Sequence, residues 1–478
     1  MSNYSIASLT RRQWLQSTAV LGAAAALSPS GPSVIRAADA GALLALGSRR
    51  ELFLDDFLIA ELAGATLHAH QPEPRDVAIT CDAPWEGNTS AYYTLFADGD
   101  LIRMYYRGAH WDTAAKKEAH PEFACYAESR DGLVFTKPKL GLFEFRGAKE
   151  NNIILTGTGT HCFTAFKDGN PAAPPEARYK AVSAVFKRGL YAYQSPDGVR
   201  WSWMKQEPVI TAGAFDSQNL AFWDASRGEY RAYWRIFTGG VRAIRTATSK
   251  DFLRWENQAD LRYADSPAEH LYTNAVMPYA RAPHLFIGFP TRFQPKHQQV
   301  EPVFMSSRDG VLFKRWAEPL IPITAPKDRD GNRSNYMTWG LVQLPGQDRE
   351  MSVYATEAYY AGPGSRVRRF VFRTDGFVSI RAGAAGGSLL TKPFTFAGGR
   401  LTLNVSSKGP TRVEVQSPEG KALPGFAATD CAAITGDFID HPVGWRGGSL
   451  ASLAGKPIRL KFDLHDADLF SLQFTPVT

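Results

Sequence analysis

Short runs in which apolar and polar residues alternate cover most of the chain, and they come in pairs joined by a few polar residues. A period of two is typical of strands with one buried face, whereas no stretch shows a convincing amphipathic helix. Five pairs can be read along the chain: YYTLFADGDLIRMYYRG, CFTAFKDGN with RYKAVSAV, LAFWDASRGEYRAYWRI, NAVMPYARAPHLFIGFP and TWGLVQLPGQDREMSVYAT. Each pair predicts two antiparallel strands.

A second motif follows each pair of strands. It appears as SRDGLVF from Ser129, SPDGVRW from Ser195, SKDFLRW from Ser249, SSRDGVLF from Ser306 and, in degenerate form, RTDGFVS from Arg373. Asp-Gly supplies the positive φ of a tight turn, so the motif predicts a hairpin. Its aspartates recur at intervals of 54 to 66 residues, and we interpret them as turn residues rather than acids.

A strand pair and the hairpin that follows it together give four strands. Five such units in succession predict an all-β fold, a five-bladed β-propeller, over residues 48–385. From residue 387 to residue 478 strand runs continue, separated by Gly, Pro, Ser and Asp, but the hairpin motif is absent. This change predicts a small C-terminal β-sandwich.

Composition limits the classes of partner. Aromatic residues make up 12% of the chain, which fits both a strand-rich fold and a sugar-binding surface. The net charge of +7 is mild and its basic residues are scattered, so nucleic acid is not expected and a carbohydrate is the predicted partner. The four cysteines include no C-x-x-C pair or zinc pattern. They predict buried free thiols, with a Cys81–Cys125 bridge as the alternative.

The first forty residues differ from the rest. TRRQWLQ, from Thr10, precedes the apolar run AVLGAAAALSP, and small residues follow at Ala38–Ala40. This segment, residues 1–40, resembles a twin-arginine export signal cleaved near Ala40, which predicts a periplasmic or extracellular protein. The alternative is a short membrane anchor, but the apolar run is too short to span a bilayer comfortably. We therefore expect no membrane association after cleavage.

The repeated Ser-x-Asp-Gly hairpins, the five units and the trailing sandwich resemble the propeller glycoside hydrolases of families 32, 43, 62, 68 and 130. LFLDDFLIA, APWEGNTSAYYTLF, GAFDSQNLAFWD, EHLYTN and the terminal DADLFSLQF resemble exported planctomycete proteins that are usually described as family-32-like. The chain lacks the family 32 motif W-[ML]-N-D-P-N-G and also R-D-P and E-C. Fructan hydrolysis is therefore not implied, and the substrate stays open.

The resemblance implies an acidic pocket in the propeller's central channel, where the first strand of each blade begins. Segments 84–90, 157–163, 213–219, 268–274 and 331–339 occupy these positions. Three of them carry the predicted catalytic carboxylates, Glu86, Asp216 and Glu269. Glycoside hydrolysis needs one carboxyl group as acid and a second as base or nucleophile. The alternatives are a solvated loop carboxylate for Glu86, a turn residue for Asp216 and a strand residue facing away from the channel for Glu269.

The same segments and the strands beside them provide the predicted substrate-binding residues. They are His161, Gln218, Asn219, His270, Tyr272, Asn274, Arg292, Asn335, Tyr336 and Trp339. Each has a structural alternative: a hydrogen-bonded core position for His161, a carboxylate partner for Arg292 and core packing for Trp339. We predict no metal ligand and no cofactor, although some relatives carry a structural calcium ion.

Three hypotheses follow. The leading one is an exported glycoside hydrolase or related glycan-processing enzyme whose three carboxylates converge within about 10 Å. The second is a non-catalytic glycan-binding propeller, with an aromatic-lined pocket and at most one carboxylate. The third is a protein-binding propeller, which requires an exposed apolar patch. The sugar, the linkage, the stereochemical outcome, and hydrolysis as against transfer or phosphorolysis, stay open.

Overall fold

The computed structural model describes residues 35–36, 43–323 and 336–476. The predicted signal peptide, residues 1–40, lies outside these ranges except for the strand Ile35–Arg36. The predicted substrate-binding residue Asn335 also lies outside them. Across the described ranges, no helix combines the length and apolar character needed to cross a membrane.

Four-stranded antiparallel sheets, with their strands in sequence order, form the first three blades. Blade one comprises Ala91–Asp98, Leu101–Gly108, Phe123–Ser129 and Ile153–Thr156. Blade two comprises Thr164–Lys167, Tyr179–Val185, Gly189–Ser195 and Ser202–Trp203. Blade three comprises Leu220–Asp224, Glu229–Thr238, Val241–Ser249 and Glu256–Asp260. The first strand of each blade is innermost, and these three strands pack against one another.

Blades four and five complete the ring. Blade four comprises Met277–Tyr279, Ala282–Gly288, Gln299–Ser307 and Leu312–Pro319, with Arg262–Ala264 and Thr291–Gln294 as additional strands. Blade five comprises Glu350–Glu357, Arg366–Arg373 and Glu73–Thr80, and bridges from Met337 and Val342 form its inner edge. The outer strand of blade five thus precedes blade one in sequence and closes the ring. The prediction of five blades is confirmed.

The repeated hairpins are turns in which side chains cap the backbone. In the first, Asp131 Oδ1 accepts hydrogen bonds from the N–H groups of Leu133 and Val134, while Ser129 Oγ accepts one from Gly132. The same bonds recur at Asp197, Asp251 and Asp309. The turn glycines have a φ near +75°, which explains the Asp-Gly preference. These aspartates are turn residues, as the repeat predicts.

Both ends of the described chain supply the sandwich. Its strands are Leu44–Gly47, Arg50–Leu52, Ile59–Ala63, Ala65–Ala69, Val378–Ala382, Gly387–Thr391, Phe394–Phe396, Arg400–Gln416, Ile434–Pro442, Arg459–Leu464 and Ala467–Thr475. The long strand Arg400–Gln416 pairs first with Ala467–Thr475 and then with Arg459–Leu464. Leucine, valine and phenylalanine side chains from these strands form a separate buried core. The remaining elements are Trp111–Asp112, Lys117–Glu118 and two short 3₁₀ turns, Pro175–Ala177 and Leu450–Leu453.

The pairing of these strands differs from the predicted division at residues 48–385 and 387–478. Strands between residues 44 and 69 pair with C-terminal strands, and so does Val378–Ala382, which follows the fifth hairpin motif. The motif in blade five therefore leads out of the propeller instead of to its outer strand. The alternation of residues predicts each strand but not its partner, because pairing of strands far apart in sequence depends on the whole fold.

Asp375, in this fifth motif, lies where the propeller meets the sandwich. Its buried carboxylate accepts hydrogen bonds from Tyr279 Oη (2.6 Å) and Arg281 Nε (2.9 Å) of blade four. It also accepts bonds from Arg50 Nη1 (3.3 Å) and Ser471 Oγ (2.9 Å) of the sandwich. Burial raises the pKa of Asp375, but the two arginines outweigh this effect and lower it overall. A residue expected to cap a turn therefore joins the two domains.

Candidate functional site

Four tyrosines cluster at the end of the channel where the innermost strands begin. Tyr92 belongs to blade one, Tyr272 precedes blade four, and Tyr336 and Tyr359 flank the inner and second strands of blade five. The ring centroid of Tyr336 lies 5.6 Å from that of Tyr272, 5.8 Å from that of Tyr359 and 6.4 Å from that of Tyr92. We call this group the tyrosine mouth.

Three arginines contact the tyrosine mouth. Arg107 lies over the ring of Tyr92, with its Cζ 4.9 Å from the centroid, and donates a hydrogen bond to the hydroxyl of Tyr359 (3.0 Å). The guanidinium groups of Arg235 and Arg242 lie 4.8 Å and 5.1 Å from the ring centroid of Tyr272. A cation is attracted to the face of an aromatic ring, so these contacts hold the tyrosine rings in position.

One carboxylate at the tyrosine mouth is open to solvent. The side chain of Asp216 is 52% exposed, although its ion-pair partner Arg235 is almost fully buried. The Tyr92 hydroxyl lies 3.5 Å from the backbone carbonyl of Asp216, at hydrogen-bonding distance. The segment 213–219 therefore carries a carboxylate held by one fixed arginine and accessible to a ligand.

A second carboxylate, Glu122, is linked to Tyr92 through His161 and Arg107. It is 2.9 Å from Nδ1 of His161 and 3.3 Å from Nη1 of Arg107, and the His161 ring packs against Tyr92. The adjacent Cys162 and the carboxylate of Glu122 raise the pKa of His161 to about 10, against the opposing effect of burial. Burial also raises the pKa of Glu122, but His161 and Arg107 lower it overall. The carboxylate of Glu122 therefore favours the protonated form of His161.

The structure does not bring Glu86 to the tyrosine mouth. Its side chain is buried and accepts hydrogen bonds from Tyr106 Oη (2.5 Å), Lys137 Nζ (2.6 Å) and the N–H of Ala83 (3.0 Å). Tyr106 lies in the second strand of blade one and Lys137 follows its hairpin, and neither contacts the rings of the four tyrosines in the described structure. The ammonium group of Lys137 balances the charge of the buried Glu86 carboxylate, because a buried charge requires an opposite charge and hydrogen bonds.

Glu269 lies at the edge of the tyrosine mouth and is held by cations. It forms ion pairs with Arg315 and with Arg292, whose Nη1 is 3.5 Å away, and Arg292 also binds Glu301. The neighbouring residue His270 places Nδ1 3.4 Å from Nη1 of Arg242. Of the three predicted carboxylates, Asp216 is the one that forms an ion pair with an arginine of the tyrosine mouth, Arg235.

The other predicted binding residues divide into two groups. His161, Tyr272 and Tyr336 belong to the mouth, and His270 lies beside it. Gln218, Asn219 and Asn274 are buried and bind backbone groups of neighbouring strands. Trp339 is buried, donates its indole N–H to the carbonyl of Val276, and lines a cavity at the other end of the channel.

That cavity has a volume of about 670 Å³ and an apolar lining, which includes Phe96, Phe166, Phe222 and Trp223. Its charged lining residues are paired: Lys167 with Asp98, Asp168 with Lys180 and Arg281 with Asp375. Apolar walls with paired charges provide few polar groups for a sugar. The tyrosine mouth is chemically better suited to one.

Sequence reasoning missed Arg107, Glu122, Arg242 and Tyr359. They lie near the ends of second strands, in the connections that follow them or, for Arg242, at the start of a third strand, whereas the expectation concerned the starts of first strands. In an antiparallel blade these positions lie at the same end of the sheet. A search of every strand terminus at that end would therefore have included them.

No group of three or more His, Cys, Asp or Glu side chains in the described ranges is arranged to hold a metal ion. All four cysteines are buried free thiols, as the sequence predicts.

Comparison with solved structures yields propeller enzymes at low sequence identity. A Bombyx mori family 32 β-fructofuranosidase has 9% identity and a TM-score of 0.40, covering 86% of this chain and 94% of its own. A Listeria innocua β-1,2-mannobiose phosphorylase has 12% identity and a TM-score of 0.42, covering 64% and 97%. A Bacteroides thetaiotaomicron endo-arabinase has 10% identity and a TM-score of 0.41, covering 63% and 99%. No protein-family model matches the sequence, and no curated protein matches it either.

Proposed function

We propose that this protein is a glycoside hydrolase, or a closely related glycan-processing enzyme, that binds a sugar at the tyrosine mouth and uses Asp216 as a catalytic carboxylate. The observation that carries the proposal is the 52% exposed side chain of Asp216, held by the buried Arg235 beside the tyrosine rings. Tyrosine rings pack against the apolar faces of sugars, and a carboxylate can accept a proton or stabilise a developing positive charge.

His161 is the proton donor that the same mouth offers. The carboxylate of Glu122, 2.9 Å from Nδ1, raises the pKa of His161 and holds its ring beside Tyr92. In this proposal Asp216 acts as base or nucleophile at the sugar carbon, while His161 protonates the departing oxygen. Glu122 is a positioning residue, since it orients the imidazolium.

A second candidate function is glycan binding without catalysis. The observation that favours it is the state of the other two predicted carboxylates, because Glu86 is buried against Lys137 and Glu269 is paired with two arginines. Of the three, Asp216 is the one whose side chain is more than half exposed, although it too is paired with an arginine. An aromatic site with one available carboxylate is sufficient to bind a sugar.

The two candidates are separated by screening the mature protein against algal and plant polysaccharides and then testing Asp216→Asn. We expect this variant to lose at least about 100-fold in kcat, because removal of a catalytic carboxylate abolishes proton transfer. Asp260→Asn is the matched control, since Asp260 also pairs with an arginine, Arg245, but lies on the outer strand of blade three. Binding without turnover in the unchanged protein supports the second candidate, and turnover unaffected by Asp216→Asn removes Asp216 from the mechanism.

We also propose that the protein is exported, on the evidence of TRRQWLQ from Thr10 and the apolar run that follows. The expected result in a host with twin-arginine export is a cleaved periplasmic or secreted protein. Replacement of Arg11 and Arg12 by lysine should leave the uncleaved chain inside the cell, and unchanged export of that variant would contradict the assignment.

A further inference from the structure

Cations outnumber carboxylates around the tyrosine mouth. The charged side chains in contact with its rings or their partners are Arg107, Arg235, Arg242, His161, Asp216 and Glu122. Arg107 and His161 both pair with Glu122, and Arg235 forms an ion pair with Asp216. Within the described part of the chain, Arg242 has no carboxylate partner.

The surroundings of Arg242 are almost entirely aromatic. Its guanidinium lies 5.1 Å from the ring centroids of Tyr272 and Phe293 and 5.6 Å from that of Phe237. Nη1 lies 3.4 Å from Nδ1 of His270, and the buried Nε has no hydrogen-bond partner in the described structure. The aromatic rings hold the guanidinium in place but supply no anion, so this arrangement favours an anion supplied from outside.

Other polar atoms at the same end of the channel are also unsatisfied. Nε of Arg107, Nε and Nη1 of Arg235, Oγ of Ser217 and Oγ1 of Thr338 are buried without hydrogen-bond partners in the described structure. These unsatisfied groups add to the positive, hydrogen-bonding character of this end of the channel.

Phe237 adds an exposed aromatic surface beside these donors. Its side chain is 52% exposed, and the guanidinium groups of Arg235 and Arg242 each lie 5.6 Å from its ring centroid. A sugar ring stacked on Phe237 would hold its substituents beside two arginines. An uncharged sugar would leave the charge of Arg242 without an anionic partner.

We infer that the tyrosine mouth selects an acidic sugar, and that Arg242 binds the carboxylate of a uronic acid or the sulfate of a sulfated sugar. Both groups present oxygen anions that suit the planar donor set of a guanidinium. The inference rests on the proposed function, because it names the class of sugar that the mouth accepts.

The test is binding of the full mature protein to an array of neutral, uronate-containing and sulfated oligosaccharides. Titration calorimetry then follows with the best acidic ligand and its uncharged counterpart, the methyl ester or the desulfated sugar. We expect binding to the acidic ligands, with an affinity that falls as NaCl is raised from about 50 to 500 mM. The uronate and sulfate arms of the array identify which anion is preferred.

Arg242→Gln should raise the Kd for the acidic ligand at least about tenfold and leave that for the uncharged counterpart unchanged. Arg245→Gln is the control, because Arg245 lies on the same strand but pairs with Asp260. If Arg242→Gln does not fold, Arg242→Lys keeps the charge, and its acidic-ligand affinity should fall several-fold with the salt dependence retained. Binding of neutral sugars alone, or equal losses for both ligands, overturns this inference and leaves the proposed function standing. Binding to no sugar overturns both.

Discussion

The side chains at the tyrosine mouth depend on one another for their positions. Arg107 fixes Tyr92 and Tyr359 at once, and Tyr272 lies against two guanidinium groups. The sequence indicated Asp216, His161, Tyr272 and Tyr336 because they stand where innermost strands begin. It could not distinguish Asp216 from Glu86, since each carboxylate directly follows an aromatic residue in a polar segment. The difference is the presence of Lys137, 51 residues further along, beside Glu86 alone.

A prediction at this scale concerns Tyr336, the tyrosine that contacts the other three rings. Tyr336→Ala should weaken sugar binding about tenfold, because the stacking of a sugar on an aromatic ring contributes on the order of 1 kcal/mol. Tyr336→Phe should retain most of the affinity, since stacking requires the ring and not the hydroxyl. Titration of both variants with one oligosaccharide checks this. An equal loss in the two variants would show that the hydroxyl, not the ring, makes the contact.

The hairpin motifs hold neighbouring blades together. The hydroxyl of Tyr105 in blade one donates to the carbonyl of Gly198 in the turn of blade two, at 2.9 Å. Tyr233 bonds Gly310 of blade four in the same way, and Tyr354 bonds Gly132 of blade one. The sequence predicted these turns from local chemistry. Their contacts with the next blade, and the departure of the fifth motif into the sandwich, required the three-dimensional fold.

Loss of one such bond has a measurable cost. Tyr105→Phe and Tyr233→Phe should each lower the free energy of unfolding by about 1–2 kcal/mol, because a buried carbonyl loses its donor. Tyr360→Phe is the control, since Tyr360 is 50% exposed. Chemical denaturation of the three variants measures the effect. Equal stabilities for all three would mean that the hydroxyls do not join the blades.

Ion pairs join the propeller and the sandwich into one molecule. Glu51, in a sandwich strand, lies against Arg308 of the blade-four hairpin (3.0 Å) and against His284 of blade four. Burial raises the pKa of Glu51, but His284, Arg308 and Arg49 together lower it to about 2. No sequence pattern indicates this interface, because its charges come from segments separated by more than 200 residues.

The lowered pKa makes the interface sensitive to acid. A carboxylate whose folded pKa is about 2 and whose ordinary value is 4.5 stabilises the fold above pH 4.5, and that stabilisation is lost as the pH falls towards 2. The difference in unfolding free energy between the unchanged protein and Glu51→Gln should therefore shrink by about 2 kcal/mol between pH 6 and pH 3. Denaturation at the two pH values measures it. A difference that does not vary with pH would contradict the ion-pair assignment.

The central claim is that ligands bind at the tyrosine mouth and not at the apolar cavity at the other end of the channel. Hydrogen exchange measured by mass spectrometry, with and without the tightest-binding oligosaccharide, tests it directly. We predict slower exchange in segments 213–219, 268–274 and 357–361 and no change in segments 166–169, 222–225 and 340–343. Protection confined to the second group would contradict the claim and move the binding site to the opposite end.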